Sequence, residues 1–355
     1  MIHTHIHIHR YVRMYVFMYV HRICMCVCTY ICLCVCVCVS LSLSLSLCLS
    51  TDSCRFFLPD KVCTCIIMNT SQTDAIFLRC TEACTALDIA ARKFPSVGKS
   101  RVRAARLQIV HERALHQGDI KTAHAACDML SGLFSTVEGV DIESKFDLGH
   151  RRARTLVRAG QFAEAASMAH SLFNMCCKYK MQLENIKSLL LLAEIHKKAR
   201  SFVSGLPYAL AALTLSKSLN MDLVHAAAMV TLAELWLGLG PSHAEQALGI
   251  LQQCMPLVLG HGERELRARI YIAVAQCHLS NPSYSVNANP QAVCEPLQEA
   301  AEEFESLEDN EQLCEVFHLQ ALVFNALGAT EERDHAATLF QKFTLLLKNF
   351  QTGKP

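Results

Sequence analysis

The segment Leu192-Ala193-Glu194-Ile195 returns forty residues later as Leu232-Ala233-Glu234-Leu235, and its alanine continues on the same spacing to Ala153 and Ala273. Self-similarity at a fixed period of this size means that the chain is an array of one supersecondary unit. A turn follows each copy: Gly118-Asp119-Ile120, Gly160-Gln161-Phe162, Arg200-Ser201-Phe202, Gly240-Pro241 and Gly328-Ala329. A small residue then returns a few positions on, at Ala123, Ala165, Gly205, Ala247 and Ala336, with Leu130, Leu172 and Leu251 following on the same face. Glycine ends the first helix because it tolerates positive φ at the C-terminal cap. The small residue lets two helix backbones approach, and the large one fills the groove between helix pairs.

The expected fold is therefore all-α: an α-solenoid of tetratricopeptide-like helix pairs with a period of about 40 residues. The spacing exceeds the usual tetratricopeptide unit, so the helices are expected to be about a turn longer. Five or six units fit between Arg101 and Lys348. Asn281–Pro290, rich in Asn, Pro and Ser, reads as a loop inserted between the two helices of the fifth unit. A single unit cannot bury its apolar face, and stacking makes one continuous core.

The helical pattern runs over residues 74–350, with 351–355 as a short tail, 51–73 as a linker and 1–50 as low-complexity sequence. His3–His9 alternates His with Thr and Ile, Cys34–Val39 alternates Cys with Val, and Ser40–Leu47 alternates Ser with Leu. Three readings compete. Strict two-residue repeats that change identity along the chain are what translated simple DNA repeats produce, and this reading leads. The second is a membrane or secretory segment, since no charge occurs between Arg22 and Asp52 and Arg10, Arg13 and Arg22 offer a basic flank. The third is a metal-binding tract.

Charge and cysteine usage narrow the function. The chain carries 33 Lys+Arg and 32 Asp+Glu, without the basic excess of a nucleic-acid binder. Thirteen of the 20 cysteines lie between Cys24 and Cys84; the other seven are scattered among Ala, Leu and Met, where a thiol acts as a small apolar side chain. No framework of spaced pairs appears, which implies a reducing compartment, cytosol or nucleus.

Several segments in order carry a more specific likeness: Ala165-Ala166-Ser167-Met168-Ala169-His170-Ser171-Leu172-Phe173, Leu191–Lys198, Gly205-Leu206-Pro207-Tyr208-Ala209-Leu210-Ala211, Leu232–Leu237 and Leu259-Gly260-His261-Gly262. Together they resemble the C-terminal repeat region of subunit 5 of the anaphase-promoting complex, plant versions in particular, over roughly residues 74–350. The resemblance implies a non-catalytic platform component of a nuclear and cytoplasmic ubiquitin ligase. Its partners would be other subunits of that complex, including the large scaffold subunits 1 and 4, with no small-molecule substrate and no cofactor. Family members carry a long helical portion ahead of the repeats. Simple repeats stand in that place here, so a truncated or non-functional form of the subunit is the alternative. The other alternative is a generic repeat adaptor clamping a partner peptide. That mode needs Lys, Asn and Arg converging on a carboxylate, and neighbouring units show no such set at equivalent positions.

Candidate chemistry is sparse. Cys176-Cys177 reads as packing, because adjacent thiols fit one tetrahedral metal poorly and no matching second pair exists. Cys63-Thr64-Cys65 and Cys80 with Cys84 lack a spaced His pair to complete a zinc site. His261 has no nucleophile or paired carboxylate beside it and reads as a helix boundary. Gly98-Lys99-Ser100 lacks the first glycine of a phosphate loop, and there is no Gly-x-Ser-x-Gly elbow. Trp236 and Phe162 fall on repeat-core positions. The candidate partner-binding residues are Arg151, Arg154, Arg158, Arg264 and Arg267, drawn from clusters that also hold Arg152 and Arg269; a third cluster is Arg101, Arg103 and Arg106. On a concave face they would take an acidic segment of a partner. The competing reading is a solvated face paired with Glu or Asp, which the low worth of surface ion pairs favours.

Overall fold

The computed structural model describes residues 99–135 and 141–352, which form twelve α-helices and no strand. The dipeptide tract at 1–50, the linker at 51–73 and the stretch 74–98, with the cysteines of all three, lie outside the described residues, and so do the membrane and metal expectations placed on them. Residues 353–355 and the side chains of Lys99, Ser100 and Arg101 also lie outside.

The helices run as α1 (Lys99–Gln117), α2 (Ile120–Ser135), α3 (Ile142–Arg158), α4 (Phe162–Tyr179), α5 (Gln182–Lys198) and α6 (Phe202–Ser218). They continue as α7 (Asp222–Leu239), α8 (Ala244–His261), α9 (Arg264–Ser280), α10 (Gln291–Ser306), α11 (Asn310–Leu327) and α12 (Thr330–Thr352). The tetratricopeptide-like α-solenoid is thus the fold, and residues 281–290 form the connection between α9 and α10.

The ends of the helices follow from local chemistry. Gly118, Gly160, Gly240 and Gly328 all have positive φ at the turns closing α1, α3, α7 and α11. At Gly160 the residue at φ +76° lets the Gln161 N–H donate back to the Leu156 carbonyl at 2.9 Å, which satisfies the end of α3. Acids start three of the helices: Asp119 accepts from the Thr122 N–H at 3.1 Å before α2, Asp141 from the Ser144 N–H at 2.6 Å before α3, and Asp309 from the Gln312 N–H at 3.1 Å before α11.

Each helix packs on the next, and the odd-numbered helices α1, α3, α5, α7 and α9 also pack on one another in sequence. They form the inner row; the even-numbered helices form the outer one. The register alanines Ala153, Ala193, Ala233 and Ala273 are all buried where the layers meet, as are Ala123, Ala165, Gly205, Ala247 and Ala336 at the start of the outer helices. At Gly205 a Cβ would stand 2.8 Å from Leu235 Cδ2 and 3.3 Å from His196 Cβ, so a larger residue there would push the Leu235 side chain aside where α6 approaches α7. Leu130, Leu172 and Leu251 fill the grooves. Phe162 and Trp236 are partly buried against these layers.

α7 is the one described helix long and apolar enough to cross a membrane by length and composition. It packs on α5, α6, α8 and α9, and a helix apolar nearly all round is what a position covered on several sides demands.

Candidate interaction surface along the inner helices

Placing the repeat alanine in the layer interface turns the next residue, about 100° further round the helix, toward the inner face. Those next residues are Arg154, Glu194 and Glu234. One position of the repeat therefore delivers a charge from each of three successive inner helices into a shared space.

The charges are paired across helices. Glu234 Oε2 accepts from Lys197 Nζ at 2.7 Å and from Arg269 Nη2 at 2.7 Å, and Lys197 also reaches Glu194 at 2.6 Å. This ladder ties α5 to α7 to α9. Burial alone would raise the Glu234 carboxyl, but Arg269 and Lys197 bring it down to about 2. Between α1 and α3, Glu112 accepts from Arg151 at 2.7 Å and from Arg154 at 2.9 Å, and Arg151 also donates to Asp147 at 2.9 Å. Burial pushes Glu112 up, and Arg154 and Arg151 hold it far below the usual carboxylate range.

Two histidines stand in the same region as neutral groups. Burial lowers His111 to about 4, with Glu112 opposing and Arg151 and Arg154 assisting. Burial and Arg154 lower His150 to about 3. His111 Nε2 lies 2.9 Å from the Thr155 hydroxyl, a pair fully buried between α1 and α3.

The five candidate arginines fall in two places. Arg151, Arg154 and Arg158 come together on the inner side of α3. Arg158 Nη2 donates to Asp309 Oδ2 at 2.8 Å, and its Nη1 contacts Glu311. Arg264 and Arg267 instead turn toward α10, where both reach Glu303, at 3.4 and 2.6 Å. In the cluster of Arg264, Arg267 and Arg269, Arg269 is the residue that faces the inner row. Arg103 and Arg106 are exposed on α1. All five candidates have an acid of this chain as partner.

The inner face encloses a cavity of 390 Å³ lined by Arg154, Arg158, Lys187, Glu194, Lys197, Glu265 and Arg269 among others, and a second of 570 Å³ lined by Lys198, Arg200, Glu234, Gln276 and Glu315. Neither holds a nucleophile beside a base of the kind acyl transfer needs. Among the described residues no group of three or more His, Cys, Asp or Glu is placed to hold a metal ion. Cys176 is buried and Cys177 exposed near the end of α4, and burial lifts the thiols of Cys254 to about 11 and Cys277 to about 12. Such thiols stay protonated and pack as apolar groups. His261 is the last residue of α8 and exposed.

Sequence reasoning missed Lys197, Lys198, Glu234 and the acidic run Glu308–Glu311. For Glu234 a signal existed: it follows the repeat alanine. For Glu308–Glu311 none existed, because its partners belong to distant repeats.

Paired helices with small residues at their crossing, curled around a charged inner row, define a tetratricopeptide-like solenoid. The apo form of RapI shares the fold, with a TM-score of 0.53 at 10% identity over 81% of this chain and 99% of that one. A Rap protein complexed with competence and sporulation factor gives 0.55 at 14% identity, over 83% of this chain and 80% of that one. Identities this low show the fold alone.

Sequence comparison is more specific. Over 277 residues the chain is 48% identical to anaphase-promoting complex subunit 5 of Arabidopsis thaliana, covering 78% of this chain and 30% of that protein. Over 241 residues it is 29% identical to the human subunit and 28% to the mouse subunit, covering 66% of this chain. The chain is a homologue of anaphase-promoting complex subunit 5 and stands nearer to the plant protein than to the mammalian ones. It spans about 30% of the length of these relatives. No family profile matches it.

Proposed function

We propose that this chain is a non-catalytic scaffold piece of the anaphase-promoting complex, a cell-cycle ubiquitin ligase, and that it works in the nucleus and cytoplasm by holding other subunits. The observation that carries this is the 48% identity to the Arabidopsis subunit over 277 residues. That stretch is long enough to take in the repeat domain, read here as residues 74–350. Its partners would be the large scaffold subunits 1 and 4. The candidate arginines act within this reading as groups already engaged: an acidic segment of a partner reaches Arg151, Arg154 or Arg158 only by displacing Glu112, Asp147, Asp309 or Glu311.

The test is affinity purification of the tagged full chain from dividing cells, with mass spectrometry of what accompanies it. The expected result is co-purification of the large subunits, in amounts comparable to the bait. Recovery of the chain alone or with chaperones only overturns the proposal. Ubiquitin transfer by the purified chain alone overturns its non-catalytic part.

A further inference from the structure

A solenoid is held together by contacts between neighbouring repeats. Among the described residues this one also joins its first helix pair to its last: α1 packs on α11. The turn that leads into α11 carries three carboxylates in four residues, Glu308, Asp309 and Glu311. Cations come to it from three inner helices. From α1, Arg113 Nε donates to Glu308 Oε2 at 3.1 Å, and His116 Nδ1 lies 2.9 Å from Asp309 Oδ2. From α3, Arg158 reaches Asp309 at 2.8 Å and also contacts Glu311. From α5, Lys198 Nζ donates to Glu311 Oε1 at 2.6 Å. These partners are separated by 113 to 195 residues of chain.

The arrangement has a buried centre and an open rim. Asp309 is 1% exposed, and it caps α11 with the same side chain that receives His116 and Arg158. Glu308, Arg113 and Glu311 are each 42% exposed. Glu308 has φ +52°, a left-handed conformation that costs a non-glycine residue free energy. The repeats on both sides have their own apolar cores, Ala153–Ile195 on one side and Ala268–Phe343 on the other.

We propose that the Glu308–Glu311 turn is a latch. Shut, it closes the row of inner helices and occupies Arg158 and Lys198 as an internal acidic ligand. Released, it leaves both cations on the walls of the inner cavities without those carboxylates, while the repeats stay folded. The occupant the open form takes is an acidic chain segment of a partner, because that is the chemistry of the turn that vacates the site.

The experiment compares the full chain with a Glu308→Gln/Glu311→Gln variant by hydrogen exchange and by binding of a synthetic peptide of residues 305–313. Both substituted positions are on the rim, so the fold is retained. Losing these rim pairs is expected to speed exchange in α1 and in the first turn of α11 by about tenfold while α4–α8 stay unchanged. The peptide is expected to bind the variant and not the unaltered chain. Unchanged protection in α1, acceleration spread equally through α4–α8, or equal peptide binding to both proteins overturns the proposal. The exchanged pair Arg113→Glu with Glu308→Arg is expected to restore protection that either single change removes. If it does not, the closure does not depend on that ion pair and the latch is wrong.

Discussion

Two parts of the molecule are joined in different ways. From α3 to α8 the helix crossings are small and apolar, with Ala165, Ala193, Gly205, Ala233 and Ala247 at the crossings and Leu172, Leu232 and Leu251 in the grooves, and the Lys197–Glu234 pair lies beside them on the inner side. Where α1 meets α11, the joint is buried charge: His116 and Arg158 on Asp309, with Arg113, Lys198, Glu308 and Glu311 around them. The first kind of contact is non-directional and accumulates with area. The second requires every partner in place, because desolvating a charge is costly unless it is matched. The middle of the array should therefore yield gradually to substitution, and the seam abruptly.

The largest effect is expected at the seam. Asp309→Ala leaves His116 buried without its carboxylate, leaves Arg158 with Glu311 alone and removes the cap of α11. A loss of about 3–5 kcal/mol in chemical denaturation is expected. A loss under about 1 kcal/mol would show the seam to be no more exacting than a surface pair, and the contrast would fail.

Leu251→Ala probes the middle. Leu251 is fully buried in α8, and its truncation is expected to cost about 3 kcal/mol. Hydrogen exchange should place the damage in α7–α9 and spare α1, which sharpens the contrast with Asp309.

Acid should act on the α1–α3 contact beside the seam. His111 is held at about 4 and His150 at about 3, against 6.5 in the unfolded chain. The folded state binds fewer protons between those values, so stability falls as pH drops from 6.5 toward 4. The slope is at most about 1.4 kcal/mol per pH unit for each histidine. His116 has the opposite shift, upward, because Asp309 outweighs its burial. Its contribution is complete below pH 6.5 and is lost only as pH rises through its folded value, so it does not offset the acid loss. Below about 4.5 the loss should steepen, because carboxylates that stay ionised in the folded pairs, Glu234 at about 2 among them, take up protons in the unfolded chain. Thermal melts across this range should show the decline, and His111→Asn should flatten it.

Gly160→Val tests a turn of the middle region. Nothing lies within 4 Å of an added Cβ there, so only the backbone at φ +76° resists, and about 1–2 kcal/mol is expected in denaturant. The smallest effect is Arg152→Gln. Its pair with Asp128 is exposed, at 35% and 76% for the two side chains, and the change should stay within about 0.5 kcal/mol by the same measurement. A larger loss would mean that exposed pairs carry this array, which nothing in its packing suggests.

The legible part of the fold is the part with a period. The alanines forty residues apart, the glycines at Gly118, Gly160, Gly240 and Gly328, and the loop at 281–290 each announce a local event. Less legible were the turns without glycine. Lys180, Arg200, Asn220 and Glu308 all adopt positive φ; of these types only asparagine favours it, and only the Arg200 turn is marked by the repeat spacing. The site was legible in outline only. The arginines of α3 face inward, but Arg264 and Arg267 turn to Glu303 on α10, because helical spacing alone cannot say which neighbour a side chain meets.

By itself, the sequence determined that the chain is a stack of helix pairs, where most of its turns fall, and to which family its repeats are homologous. These depend on contacts within a unit and between adjacent units, and short-range contacts are written as spacing. Only the tertiary structure decided that the inner row closes on itself and that an acidic turn meets cations 113 to 195 residues away. Closure follows from the small rotation between repeats summed over the whole array, and no single repeat encodes that sum.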